Sequence, residues 1–137
     1  MHDIGRLILA TSYPEQYAKV LARQQQMDEY SFVAERATLG IDHAAVGAAL
    51  AKYWKFPEDI QIAIDRHHEV DQQSTPQLAW IIHIADAISH ALDLSEIENE
   101  LAPEIDLYAW EQLDLNSEAC HKIFSKTEKQ LDRKSVV

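Results

Sequence analysis

An all-helical fold is predicted by three features of the sequence. Only three glycines and four prolines punctuate 137 residues, too few for a turn-rich sheet protein. No window holds a sustained alternation of apolar and polar residues, the pattern of a half-buried strand. Apolar residues recur instead at three- and four-residue intervals, as one face of a helix requires.

The elements follow in chain order. A first short helix is expected over Asp3 to Ala10, ending before Ser12-Tyr13-Pro14. Pro14 suits the first turn of a second helix, where its missing N–H has no helical partner to lose, and Tyr17, Val20 and Leu21 follow at helical intervals. A third helix spans Ser31 to Leu39, with Phe32, Ala34, Ala37 and Leu39 apolar, and Gly40 closes it in the left-handed conformation. Asp42 caps a fourth, His43 to Trp54, with Val46, Ala49, Leu50 and Tyr53 along one face.

Pro57 opens a fifth helix, Glu58 to His67, carrying Ile60, Ile62, Ala63 and Ile64, and the polar stretch Glu69 to Thr75 reads as a loop. Pro76 begins the most apolar helix, running to about Leu92, and being apolar on most sides it is expected at the centre of the bundle. Ser95 caps a short acidic turn at Glu96 to Leu101. Leu107 to Leu113 and Ser117 to Leu131 complete the set, with Asn116 or Ser117 capping the last helix and Lys122, Lys126 and Lys129 suiting its C-terminal half.

Length and 47% hydrophobic content fit one domain over residues 1–137 that buries its own core. No run approaches the roughly 18 to 20 apolar residues that cross a bilayer. The opening Met1-His2-Asp3-Ile4-Gly5-Arg6 lacks the basic and apolar segments of a signal peptide, and the one cysteine, Cys120, offers no internal disulfide. A soluble, cytoplasmic protein is expected. The net charge of -11, from 23 acidic against 12 basic residues, opposes binding to a phosphate backbone, so no nucleic-acid partner is expected. The apolar helix beginning at Pro76 needs cover on both flanks, and an exposed face of several hundred Å² is uncommon on a monomer. Association with another subunit is therefore expected.

Histidine and carboxylate gather in four places: His2-Asp3, His43, His67-His68-Glu69, and His83 with Asp86. Imidazole nitrogen suits zinc, iron, manganese or nickel, carboxylate neutralises their charge, and a metal so held activates water and polarises a phosphoryl oxygen. His67 and His68 equally suit a helix C-terminus, where they complement the dipole and bond the last carbonyls. Asp86 lies on the apolar helix, where a carboxylate needs a cation or donors. His83, three residues earlier on the same face, is expected to be its partner. His90 and His121 read as surface or helix-end residues without a role.

Taken together, these stretches resemble a known family. His2-Asp3-Ile4-Gly5-Arg6 is similar to the His-Asp step of the HD superfamily in its HD-I-G-K/R form. Gly40-Ile41-Asp42-His43-Ala44-Ala45-Val46-Gly47 resembles the G-x-D-H-x-x-V-G segment of HDOD domains, with Trp54-Lys55-Phe56-Pro57 and Ile64-Asp65-Arg66-His67-His68 following in the family's order and spacing. The likeness runs from His2 to about Leu92, and 95–137 adds C-terminal helices outside it.

The resemblance implies an HD-like bundle of about six to eight helices, lacking the N-terminal helices of a full HDOD domain. HDOD domains are regulatory output modules of bacterial signalling without established catalysis, so it also implies action through contact with a protein partner. The related HD-GYP phosphodiesterases cleave cyclic di-GMP at a two- or three-metal centre. By that likeness His2, Asp3, His43, His67, His68 and Asp86 would hold a divalent metal (iron, manganese, zinc or nickel), and Arg6 would contact phosphate. Departures are the absence of Gly-Tyr-Pro after His67-His68-Glu69, Arg6 in place of lysine, and no histidine ahead of His2.

Overall fold

A computed structural model describes residues 1–71, 75–92 and 101–134, with side chains as far as Gln130. Among the described residues there are eight helices and no strand: α1 (Ile4–Ser12), α2 (Pro14–Met27), α3 (Ser31–Leu39), α4 (His43–Tyr53), α5 (Glu58–Arg66), α6 (Gln77–Ala91), α7 (Leu107–Gln112) and α8 (Ser117–Lys134). The expected cap at Ser95 and its acidic turn lie outside the described residues. None of the described helices is long and apolar enough to cross a membrane.

The helix ends follow local chemistry. Asp42 accepts a hydrogen bond from the Ala45 N–H at 2.8 Å, so α4 begins at His43 as the sequence predicts. Gly40 closes α3 with φ at 76°, a conformation that a side chain would strain. Asn116 accepts from the Ala119 N–H at 2.9 Å and opens α8, and Asp106 does the same for α7 through Ala109. α1 runs two residues beyond its expected end at Ala10, because Tyr13 still donates its N–H to the Leu9 carbonyl before Pro14 starts α2.

The hub of the bundle is α4, which packs against α1, α5 and α3, whereas α6 packs against α5 and α7. The expected central place of α6 is thus corrected. Its Leu78 and Ile81 remain 36% and 47% exposed. The reason is size: α4 turns Ala44, Gly47 and Ala51 inward, so two neighbouring helices come close to its backbone. At the crossing with α1, a Cβ on Gly5 would lie 2.0 Å from the His43 carbonyl oxygen. Only glycine permits that approach. The rest of the core is mostly alanine, with Leu9, Val20, Ile64 and Ile84, and it also encloses Glu35, His43, His67 and His83. Such polar groups are costly inside unless partnered, so the packing must also supply their partners.

Candidate metal centre

Three helix ends and one helix interior converge on Asp3. His2 and Asp3 form the turn that leads into α1, with the Ile4 N–H donating to the Met1 carbonyl at 3.1 Å. The tight α1–α4 contact at Gly5 brings this turn against the first residue of α4, His43. His67 terminates α5 and His68 follows it, while Asp86 faces inward from α6.

Asp3 sits between two donor groups. Its Oδ1 lies 3.2 Å from His43 Nε2 and 3.5 Å from His67 Nε2. Its Oδ2 lies 3.4 Å from His2 Nε2, which is also 3.4 Å from Asp86 Oδ1. His68 joins the first group, its Nε2 2.8 Å from His43 Nε2 and its ring stacked on Phe32 at 4.7 Å. The ligand atoms of Asp3, His43, His67 and His68 all fall within 4.8 Å of one another, as do those of His2, Asp3 and Asp86. One carboxylate belongs to both sets.

The second ring nitrogens fix what the first can do. His67 Nδ1–H donates to the Ile64 carbonyl at 2.7 Å, so in the neutral ring Nε2 presents a lone pair. That lone pair faces Asp3 Oδ1, another acceptor. His43 Nδ1–H donates to the Glu35 carboxylate at 2.7 Å, so in the neutral ring its Nε2 lone pair also faces Asp3. His2 Nε2, Asp3 Oδ1 and His67 Nε2 are all buried without a hydrogen-bond partner. Buried acceptors turned toward each other repel, and a cation among them converts that repulsion into coordination. Donors about 2.0–2.2 Å from one ion stand roughly 3.0–3.5 Å apart, the range spanned by the Asp3 contacts. The residues therefore fit a divalent metal, and an all-nitrogen-and-oxygen set suits zinc, iron, manganese or nickel.

The same contacts set the ionisation of the cluster. The carboxylates of Asp3 and Asp86, each 3.4 Å from its Nε2, push the His2 ring up to about 9. Burial opposes ionisation of Asp3, yet the close imidazoles of His2, His43 and His67 outweigh it and hold the carboxyl far below its ordinary range. Burial likewise opposes charge on His43, but Asp3 and Glu35 raise it above its ordinary value. Asp86 is lowered, its burial overcome by His2. His68 is pushed well below the usual histidine range by burial and by the adjacent His67 and His43, so it stays a neutral donor of a lone pair.

All six residues singled out as ligands from the sequence meet here. Arg6 lies beside them, its Nε 3.6 Å from Asp3 Oδ1 and its Nη2 donating to Ser31 Oγ at 2.9 Å. One expectation is corrected. His83 does not pair with Asp86: its Nδ1–H donates to the His67 carbonyl at 2.7 Å and its Nε2 accepts from the Asp106 N–H at 3.1 Å. His90, assigned no role, lies with Nδ1 3.6 Å from Asp86 Oδ1 and donates to the Asp86 carbonyl at 3.0 Å. Glu35, wholly buried behind His43, was not anticipated. Apolar periodicity does not mark it, because its helix face, Ser31, Ala34, Glu35 and Thr38, holds one apolar residue.

Comparison with known proteins adds a family match: the HDOD domain model covers residues 1–70. An uncharacterized protein of Treponema pallidum (strain Nichols) is 30% identical over 70 residues, which is 51% of this chain and 14% of that protein. The chain thus spans only a small part of that relative's length. No solved structure matches.

Proposed function

The chain belongs to the HDOD family, and from that premise we propose that it is a signal-transduction output module built around a divalent-cation centre and acting through contacts with a partner protein. Family membership supports the signalling role. The cation centre is supported by one observation above others: the buried Nε2 of His67 and Oδ1 of Asp3, both acceptors, face each other at 3.5 Å without a hydrogen-bond partner. In this reading His43, His67 and His68 hold one cation, His2 and Asp86 a second, and Asp3 serves both. The shared carboxylate ties the start of α1 to α4, the end of α5 and α6, so occupancy governs how firmly four elements are joined.

The test is elemental analysis of purified protein, with Asp3→Ala and Asp86→Ala beside it. Near-stoichiometric iron, manganese, zinc or nickel that falls in both variants is the expected result. A folded protein that takes up none of these metals would sink the proposal.

A second reading, a metal-dependent phosphohydrolase, is favoured by the sharing of Asp3 between two donor sets with a guanidinium beside it. Bound cations would supply a Lewis acid and a water acidic enough to ionise near neutral pH. Arg6 would turn its planar fork from Ser31 toward a phosphate oxygen, and Asp3 would keep the two donor sets in register. Turnover of cyclic dinucleotides or nucleotides that disappears in Asp3→Ala establishes this reading. Metal-loaded protein without turnover leaves the regulatory one.

A further inference from the structure

The buried carboxylate on α3 has no place among the candidate ligands, yet its contacts are directed. Glu35 is fully buried. Its Oε2 accepts from both the backbone N–H and the ring Nδ1–H of His43, each at 2.7 Å. Its Oε1 accepts from the Tyr17 hydroxyl of α2 at 3.3 Å. A carboxylate is acceptor-only, so the edge of the His43 ring that it touches must carry a proton. The opposite edge, Nε2, is left to face Asp3 and His68.

We propose that Glu35 is the positioning residue of the cation centre: its carboxylate fixes the His43 ring so that the Nε2 lone pair is offered to a cation, and the Tyr17 hydroxyl steadies that carboxylate from α2. The inference rests on the cation reading above and adds to it the element that orients the ligand. Two bonds from one oxygen to one residue leave the ring a single rotation, since the backbone N–H anchors the oxygen while the ring N–H follows it. Negative charge behind the ring also makes Nε2 a more basic ligand. The contrast inside the same set is instructive. His67 receives this service from a neutral carbonyl, that of Ile64, whereas His43 receives it from a full negative charge. A buried carboxylate is a costly way to hold a ring if holding the ring were its whole purpose.

The experiment is a zinc titration of the full chain, wild type against Glu35→Gln, Glu35→Leu and Tyr17→Phe. Proton NMR of the His43 Nδ1–H and thermal melting of the metal-free proteins run alongside. Glutamine keeps an oxygen for both His43 donors and removes only the charge, so it is the variant expected to fold as wild type does. Zinc affinity should fall about tenfold in Glu35→Gln and up to about a hundredfold in Glu35→Leu, with a few-fold loss in Tyr17→Phe. The loss should fall on one of two bound zincs, because Glu35 touches none of His2, Asp3 and Asp86. A Glu35→Gln protein that binds zinc as tightly as wild type overturns the proposal. A wild-type chain that binds no zinc, while its His43 Nδ1–H stays protected from exchange, overturns the cation reading itself and leaves Glu35 as a structural acid. The NMR signal separates those two failures.

Discussion

The two donor groups that meet at Asp3 are built differently. On one side, His43 and His67 are completely buried, and each has its far nitrogen committed, to Glu35 and to the Ile64 carbonyl. His68 is stacked on Phe32 beside them. On the other side, His2 stands 29% exposed at the start of α1, its ring edge-on to His67 and its Nε2 shared between two carboxylates. In the proposed cation reading the inner group is oriented by its own protein contacts, whereas in the outer group His2 keeps nearly a third of its side chain in water. Preorganisation of this kind lowers the ordering cost of binding, so the inner site should be the tighter one.

The most severe way to break this difference is to move Asp3 relative to His43 without touching either residue. Gly5→Ala does so. The added methyl group would lie 2.0 Å from the His43 carbonyl oxygen and 2.9 Å from the Gly47 N, both backbone atoms that cannot rotate away. α1 must lift off α4, costing about 3 kcal/mol or more, at the upper end of overpacking penalties. Both cations should be lost together, and calorimetry with metal analysis checks this. A Gly5→Ala protein that melts like wild type would show that α1 and α4 leave room for a methyl group at this crossing.

Next in size is the contrast between the groups themselves. Asp86→Ala should remove the outer cation and spare the inner one, giving about one equivalent of metal per chain. His67→Ala should do the reverse to occupancy and also destabilise the fold, because it opens a hole among the rings of His2, His43 and His68. Losing a direct ligand should weaken its own site by at least the ten- to hundredfold known for supporting residues. Equal loss of both equivalents in Asp86→Ala would show that the two groups act as one and would remove the distinction.

A smaller effect follows from His2. Its pKa rises from 6.5 to about 9 on folding, so its contribution to stability is whole below pH 6.5 and disappears as pH climbs through 9. With nearly a third of the side chain in water, about 1 kcal/mol is the expected loss, well under the full linkage value. The metal-free protein should therefore melt lower at pH 9.5 than at pH 6. The metal-loaded protein should not, since the ion replaces that proton, and metal uptake at pH 7 should release protons to the buffer. A metal-free melting temperature that is flat across this range would contradict the His2–Asp3–Asp86 arrangement.

How far the sequence reveals this comparison depends on distance along the chain. Local signals were legible: Gly40, Asp42, Pro14 and Asn116 mark helix ends through contacts of four residues or fewer, and the structure places the ends there. The ligand types were legible because histidine and aspartate in an apolar setting need an explanation. Their partners were not. Spacing pairs His83 with Asp86, three residues on, whereas its bonds run to His67 and Asp106, 16 and 23 residues away. Glu35 escaped notice because its meaning depends on His43, eight residues on and across a helix boundary. Hydropathy drew attention to α6 as the centre, but close approach is set by side-chain size, and the smaller residues of α4 take that place.

The smallest effect concerns the outer brace of the inner group. Arg36 joins three elements that carry it: its Nε donates to Asp42 Oδ2 at 2.6 Å, and its two terminal nitrogens grip Glu69 at 3.0 and 2.7 Å. Asp42 caps the helix that begins with His43, and Glu69 follows His68, so this bridge closes the ring of contacts around both histidines from outside. The guanidinium is 44% exposed and Glu69 53%, which places the pair where solvent screens it. Arg36→Ala should accordingly cost about 1 kcal/mol or less, more in low salt than in high. Metal affinity should hardly change, because Glu35 and the Ile64 carbonyl still hold the two rings. A large loss of metal in Arg36→Ala would mean that the inner group is not oriented from within, and that its order is borrowed from the surface.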